Sequence, residues 1–352
     1  MNRVPSALLR STHDLGSPAT KSGSLIDNFD RVHRSLRISV TDVCNIRCQY
    51  CMPAEVQFQP RDRQLSFEQI AQFVRTTARL GVVHYRLTGG EPLLRPRLHE
   101  LIKLLKEIKG VEEVGLTTNG LLLAEQLPEL LSAGLQRVNI SLDTLSDATF
   151  KKLARRDGLQ RVLAGIDAAV QAAPALHLKL NSLVLRDVNL DDVLSLVEFA
   201  RERNVTLRFI EFMPLDADRS WSVNRMVSGD ELRQRIATHC GGLVPVEPEN
   251  PAQPATDYMF AEGGPGRIGF IDSVTRPFCG TCDRLRLTFD GKVRNCLFGS
   301  QEWDVRELLN DQHSEQELGQ LLLNAVAAKH RSHGIADADF QPPARAMYQI
   351  GG

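Results

Sequence analysis

The stretch Leu36-Arg37-Ile38-Ser39-Val40-Thr41-Asp42-Val43-Cys44-Asn45-Ile46-Arg47-Cys48-Gln49-Tyr50-Cys51 runs from a strand pattern straight into a cluster of thiols. Leu36, Ile38 and Val40 alternate with Arg37 and Ser39, so a strand here has one apolar and one polar face. The cysteines that follow are spaced C-x3-C-x2-C, close enough for three thiolates to converge on one corner-sharing cubane. Three thiolates hold three irons of a 4Fe–4S cluster and leave the fourth open, and an open position implies a ligand that reacts. A zinc site would need a fourth ligand. No histidine follows Cys51 before His84, and His33 is poorly spaced.

Five more strand patterns follow, at 83–88, 113–118, 137–142, 177–185 and 206–212. Amphipathic helical patterns separate most of them. Ser66 and Gln69 form a capping box ahead of Ile70, Phe73, Val74 and Leu80, with Gly81 as the stop. Further helices are expected at 98–108, 125–133, 160–172 and 191–203. Strands alternating with helices of this length argue for parallel βαβ units, which leaves an antiparallel sheet with one wet face as the weaker alternative. Six units are too few for a closed eight-strand barrel, so the expected fold class is α/β, a partial (β/α)6 TIM-like barrel. Strands buried on both faces would be apolar throughout, and these are not. Arg37, Arg86, Asn139, Ser141, Lys179 and Asn181 fall on the polar parity. If the apolar faces pack on helices, the polar faces line a lumen whose Arg37, Arg86 and Lys179 suit an anionic ligand. The sixth strand is less regular, with Arg208 leading and Glu211 on the opposite parity.

After Gly242 the pattern changes. Residues 245–265 are rich in Pro, Gly, Ala and Glu and read as a linker or long loop, and helical stretches are expected at 305–309 and 316–330. Between them lies a second triplet, Cys279, Cys282 and Cys296, spaced C-x2-C-x13-C. Zinc competes better here, because ribbons also use C-x2-C pairs. Arg284 and Arg286 follow at period 2 and would point the same way, and a guanidinium fork matches phosphate. Cys240, the seventh cysteine, ends a helical stretch before Gly241 and reads as a small core residue. The expected organisation is a flexible extension over 1–28, the partial barrel over 29–243, and a cysteine-bearing segment over 244–352.

A net charge of −1 gives no reason to expect a general nucleic-acid or membrane surface. No apolar run approaches the roughly 20 residues of a membrane span. Six of the cysteines sit in two tight groups, unlike a disulfide framework, and no export signal precedes them, so the chain is expected in the cytoplasm with metal-binding thiols.

The cysteine spacing, with Tyr50 just before the third thiol, resembles the cluster loop of the radical S-adenosylmethionine (SAM) superfamily, and Gly89-Gly90-Glu91-Pro92 resembles its GGEP motif. The resemblance implies that the open iron takes the amino and carboxylate groups of SAM and that one electron cleaves the sulfonium to a 5′-deoxyadenosyl radical. It further implies that Tyr50, Gly90, Ser141 and Met213 contact SAM. From about Leu25 to Gly352 the chain resembles the GTP 3′,8-cyclase family of molybdenum cofactor biosynthesis. The features that carry this are Arg37, both triplets, Thr117-Thr118-Asn119-Gly120, Arg208-Phe209-Ile210-Glu211-Phe212-Met213, Cys282-Asp283-Arg284-Leu285-Arg286 and the Gly351-Gly352 tail.

This second resemblance implies two 4Fe–4S clusters at opposite ends of one cavity, with the 244–352 segment closing the barrel and carrying the second. It places GTP between them on Arg37, Arg86, Thr117, Lys179, Arg284, Leu285 and Arg286, with guanine on the open iron of the second cluster. Catalytic roles would fall to Arg37, Arg284, Arg286, Gly351 and Gly352. The implied reaction abstracts the ribose C3′ hydrogen, joins C3′ to guanine C8, and quenches the resulting aminyl radical with an electron and a proton. A flavodoxin- or ferredoxin-like donor and a downstream cyclic pyranopterin monophosphate synthase are the implied partners, and a homodimer is compatible with the sequence. The rival readings are a peptide-modifying radical SAM enzyme with an auxiliary cluster, a group that generally has more C-terminal cysteines, and a zinc-stabilised binding module.

Overall fold

The computed structural model describes residues 24–248, 250–310, 314–335, 337 and 340–351. Residues 1–23 of the expected extension and the tail residue Gly352 lie outside these. All six strand patterns are strands: β1 (Ser35–Ser39), β2 (His84–Thr88), β3 (Glu113–Thr118), β4 (Arg137–Ser141), β5 (His177–Leu183) and β6 (Thr206–Ile210). They pair in chain order, every pair parallel. The crossovers run through α1 (Phe67–Arg79), α2 (Leu98–Lys106), α3 (Leu123–Ser132), α4 (Asp147–Ala154) with α5 (Leu159–Gln171), and α6 (Val193–Glu202). The capping box forms as expected. Ser66 Oγ accepts from the Gln69 N–H at 3.2 Å and the Gln69 side chain accepts from Ser66 N–H at 2.9 Å.

Period 2 then divides the strands as the sequence implies. Ile38, Leu87, Leu116, Ile140, Leu180 and Leu207 are fully buried, packed with Phe73, Leu101, Ile166 and Val197 of the helices in one core. The opposite parity, including Arg37, Arg86, Thr117, Asn139, Lys179 and Arg208, faces a cavity.

The C-terminal half departs from the sequence reading in three places. It does not simply cap the barrel. Its strands β9 (Arg267–Ile271) and β10 (Arg284–Leu287) continue the sheet in parallel at its two edges, β9 beside β6 and β10 beside β1. Eight parallel strands result, and the ends are finished by antiparallel partners: β7 (Leu243–Pro245) with β8 (Thr256–Phe260) on one side, β11 (Lys292–Arg294) with β12 (Trp303–Asp304) on the other. The 245–265 stretch is therefore partly strand. The run Tyr258-Met259-Phe260 suits a sheet, and β9 holds it in place although its surroundings are rich in turn residues. The third departure is at 305–309, which is a turn after β12, too short to pay for a helix nucleus.

The expected helix at 316–330 is α8 (Glu315–Ala327), capped by Ser314 and Glu317. Residues 25–28, expected in the extension, are packed against the rest of the chain. Leu25 is in the core, Ile26 bridges Val32, and Asn28 Nδ2 donates to the Ala327 carbonyl at 2.9 Å. Cys240 ends α7 (Gly229–Cys240) as a buried core residue. No described helix is long and apolar enough to cross a membrane.

Candidate active site

A cavity of about 510 Å³ fills the barrel, and all six clustered cysteines line it. Chain direction decides where they stand. The first triplet lies on the loop beyond the C-terminal end of β1. Cys279 and Cys282 precede the N-terminal end of β10, which runs parallel to β1. The two triplets therefore sit at opposite ends of the same strand pair, with Arg37 and Arg286 between them in direct register.

The first loop is fixed by its backbone. The Cys51 N–H and Met52 N–H both donate to the Cys48 carbonyl at 3.0 Å, and the N–H groups of Arg47 and Gln49 donate to the carbonyls of Ala154 and Leu153 at the end of α4. None of the seven cysteines is in a disulfide. Burial pushes the Cys44, Cys48 and Cys51 thiols up, so the bare loop holds neutral thiols and a bound metal would be what ionises them. Among the described residues no group of three or more His, Cys, Asp or Glu could hold a metal ion. Ligands of a single tetrahedral zinc must crowd around one centre, whereas three thiolates on a cubane each bind a separate iron and stand farther apart. Three thiols facing one cavity suit a cubane with one open iron, whereas a closed zinc site needs four ligands.

Gly89 and Gly90 press on the strand end that leads into this loop. A Cβ on Gly89 (φ +151°) would lie 2.3 Å from the Thr41 carbonyl oxygen, and one on Gly90 would lie 2.4 Å from that of Val43. The turn is then held by Glu91, whose carboxylate accepts from Asn119 N–H and Thr118 Oγ1, each at 2.7 Å, and from Leu93 N–H at 3.0 Å. Gly89→Ala is expected to lower stability by about 1–3 kcal/mol and the melting temperature by several degrees, checked by thermal denaturation, because backbone must move to admit the methyl. Tyr50 Oη donates to Asp143 Oδ2 at 2.5 Å, and Leu183 N–H donates to Asp143 Oδ1 at 2.8 Å, which places the ring beside Ser141 at the cavity wall. Met213 lines the same wall.

Across the middle of the cavity runs a row of cations. Arg286, Arg37 and Arg86 are register partners on three adjacent strands, and Arg284 stands opposite Ser35 one pleat away. Like charges directly opposed on a sheet are unfavourable, and here little balances them. Burial first, then Arg286, Arg284 and Arg86, push the Arg37 guanidinium well below its ordinary value, and among the described residues no carboxylate forms an ion pair with it. Among the described residues the carboxylate that reaches Arg86 is Glu113, at 3.9 Å, which is better bonded to Arg137 at 2.8 Å. Arg284 lies over the Phe278 ring at 4.4 Å with one buried N–H group unpartnered. Asn139 Oδ1 and Asn181 Oδ1 are likewise buried on the cavity wall without partners. Unpaired buried polar atoms facing one space mark a site built for a polar, multiply charged ligand.

Lys179 adds a titratable cation. Burial, then Arg208, pushes it down to about 8. Between pH 8 and its ordinary 10.5 the unfolded chain binds more protons there, so stability of the free protein rises with pH across that window. Affinity for a polyanion moves the other way, since the ammonium it would meet discharges. Binding of a triphosphate ligand is expected to weaken about tenfold between pH 7 and pH 9, measured by calorimetry, and Lys179→Met is expected to remove the step.

The tail reaches this row. Gly351 (φ +75°) packs on Ser39 and Thr88, and its carbonyl accepts from Arg286. Leu285 differs from the other expected contacts: its side chain is fully buried in the core on the opposite face of β10, which leaves its backbone alone for a ligand.

Several cavity residues were not among the expected ligand contacts. Arg208 faces the cavity, bonded to Asp257 at 2.8 Å. Its partner lies on β8, the strand hidden in the apparent linker, and a Cβ on Gly269 beside it would clash with both side chains. Arg137, Glu113, Asp143 and Asn119 also line the cavity. The leading positions of β3 and β4 follow the polar parity already used for Arg37 and could have been found by it. Lys329 gives no sequence signal, since a lysine after an apolar helix reads as a solvated end.

Residues 38–200 match the model of the Radical SAM superfamily, whose cofactors are a 4Fe–4S cluster and SAM, and residues 205–335 match that of Molybdenum Cofactor Synthesis C. A GTP 3′,8-cyclase of Rhodopirellula baltica is 48% identical over 94% of this chain and 92% of its own. A GTP 3′,8-cyclase of Corynebacterium glutamicum is 42% identical over 95% and 91%. Molybdenum cofactor biosynthesis protein 1 of Drosophila melanogaster is 43% identical over 90% of this chain and 55% of its own. Among solved structures, Streptococcus suis SuiB bound to precursor peptide SuiA superposes with a TM-score of 0.60 over 86% of this chain and 69% of that one, at 12% identity, a likeness of fold alone. With both family models matched and the two bacterial cyclases aligned nearly end to end, the chain belongs to the GTP 3′,8-cyclase family of radical SAM enzymes.

Proposed function

We propose that the chain converts GTP to (8S)-3′,8-cyclo-7,8-dihydroguanosine 5′-triphosphate, an early step of molybdenum cofactor biosynthesis. The observation that carries this reading is the uncompensated row Arg286–Arg37–Arg86 set between two cysteine triplets in one cavity. A triphosphate carries about four negative charges and relieves the repulsion along that row. Cys44, Cys48 and Cys51 would hold the cluster that binds SAM. Cys279, Cys282 and Cys296 would hold a second 4Fe–4S cluster. When bound, the first cluster and SAM supply one-electron sulfonium cleavage and hydrogen-atom abstraction.

The protein's part is position. Arg37, Arg284 and Arg286 grip the phosphates, with Arg86 and Lys179 deeper along the wall. The free oxygens of Asn139 and Asn181 accept from ribose hydroxyls or guanine N–H groups. Thr117 lies on the same wall. The Arg286 bond to the Gly351 carbonyl orients that guanidinium and closes the cavity floor with the tail. Held so, C3′ faces the SAM end and C8 faces C3′, which is catalysis by proximity and orientation. Tyr50, fixed by Asp143, and Met213 and Ser141 shape the SAM end, with Gly90 backing the loop.

The reading extends to its surroundings: a flavodoxin- or ferredoxin-like electron donor, delivery of product to a cyclic pyranopterin monophosphate synthase, and a cytoplasmic setting. GTP deuterated at C3′ tests it. Deuterium appearing in 5′-deoxyadenosine, with a product isomeric with GTP by mass, is the expected result, whereas deoxyadenosine free of deuterium contradicts C3′ as the site.

A further inference from the structure

Lys329, just past α8, is 5% exposed. Its Nζ lies 3.5 Å from Cys282 Sγ and donates to the Arg284 carbonyl at 3.0 Å. The charged groups that bear on it most are Cys282, Cys296, Arg31 and Arg284, and among the described residues no carboxylate forms an ion pair with it. Arg31, the other buried cation at this end, is already engaged. It bonds Asp27 at 2.6 Å and donates to the carbonyls of Cys279, His330 and Arg331. His33, also alongside, is held neutral at physiological pH, pushed down to about 3 by burial and then by Lys329. With Asp27 taken up by Arg31, an ammonium buried beside guanidiniums and paired with no carboxylate of its own is costly unless something nearby is negative. The sulfurs of the second triplet are the groups placed to supply that charge.

We propose that Lys329 is a hydrogen-bonding and charge-compensating partner of Cys282, beside Arg284, and that it raises the reduction potential of the second cluster. This rests on the reading that Cys279, Cys282 and Cys296 hold such a cluster. A 4Fe–4S core with three thiolates carries one net negative charge when oxidised and two after taking up one electron. A fixed cation donating to a ligand sulfur favours the more negative state. Hydrogen bonds to cluster sulfurs are an established lever on potential. Lys329 is a positioning residue here, acting through Cys282.

The test uses the full chain with Cys44, Cys48 and Cys51 replaced by alanine, so that only the second cluster reports. It is loaded anaerobically with iron and sulfide and titrated with dithionite under EPR. In that background Lys329→Met is expected to keep its iron while the reduced-to-oxidised ratio at a given potential falls about tenfold, which is about 59 mV for a one-electron couple. Lys329→Arg is expected to recover most of the shift. Equal potentials for the parent, Met and Arg chains overturn the proposal and leave Lys329 as packing. If the Met chain loads no cluster, Lys329→Gln is titrated in its place and read by the same criterion. Loss of iron from Met and Gln but not Arg supports the need for charge, and loss from all three overturns it. Absence of any cluster in the triple-alanine parent overturns instead the underlying reading of a second cluster.

Discussion

Cys48→Ala is expected to abolish 5′-deoxyadenosine formation altogether and to lower iron from about eight to about four per chain. Two thiolates cannot anchor a cubane whose fourth iron must stay open for SAM. The loop itself should survive the change. Its geometry comes from backbone bonds, Cys51 and Met52 N–H to the residue 48 carbonyl and Arg47 and Gln49 N–H to the end of α4, and none of these uses the thiol. A thermal melt close to that of the parent should therefore accompany complete loss of SAM cleavage. The iron that remains should belong to the second triplet at the far end of the cavity. Iron analysis with quantified deoxyadenosine checks both halves, and retention of SAM cleavage by the Cys48→Ala chain would mean that this loop is not where the sulfonium is cut.

Arg37→Ala is expected to weaken GTP binding roughly 30- to 900-fold, equivalent to about 2–4 kcal/mol, while leaving the ligand-free protein as stable or more so. The two effects have opposite signs for one reason. Arg37 stands in register between Arg286 and Arg86, and the charged groups that bear on it most are Arg286, Arg284 and Arg86. Without ligand its charge only repels. With a triphosphate it becomes a charge-assisted donor to phosphate. Calorimetric affinity and thermal melts of the same preparation, with and without GTP, resolve the two signs. A variant that loses stability and keeps affinity would contradict the assignment of this row to phosphate. Lys at position 37 should recover only part of the affinity, because an ammonium lacks the planar fork.

The chemistry of the lumen was legible because the strands keep a clean period of two. Arg37, Arg86, Asn139, Ser141, Lys179 and Asn181 all lie where their parity places them. Glu211 broke parity in β6, and its position explains why: it falls just past the strand, turned away to accept from Gly229, Val274 and Thr275 N–H groups. It thereby ties down the segment that leads to Cys279. Pairing over long range was not legible. The contact of Ser35 with Asp283 spans 248 residues, and nothing local in either segment announces that β10 lies beside β1. Without that register Arg284 and Arg286 read only as cations near a second triplet, not as neighbours of Arg37. The strand β8 was hidden by its Pro- and Gly-rich surroundings, and with it Asp257, the partner of Arg208. Lys329 was invisible because its burial depends on how the end of α8 meets the second triplet.

The most direct measurement is anaerobic. Cluster-loaded protein is mixed with SAM and a strong reductant, with GTP, with ATP, or with neither, and 5′-deoxyadenosine is quantified. Formation strongly enhanced by GTP and not by ATP is the expected result, joining radical chemistry to the cation row and to guanine. Formation indifferent to GTP would keep SAM cleavage at the first triplet and contradict the cyclase reading.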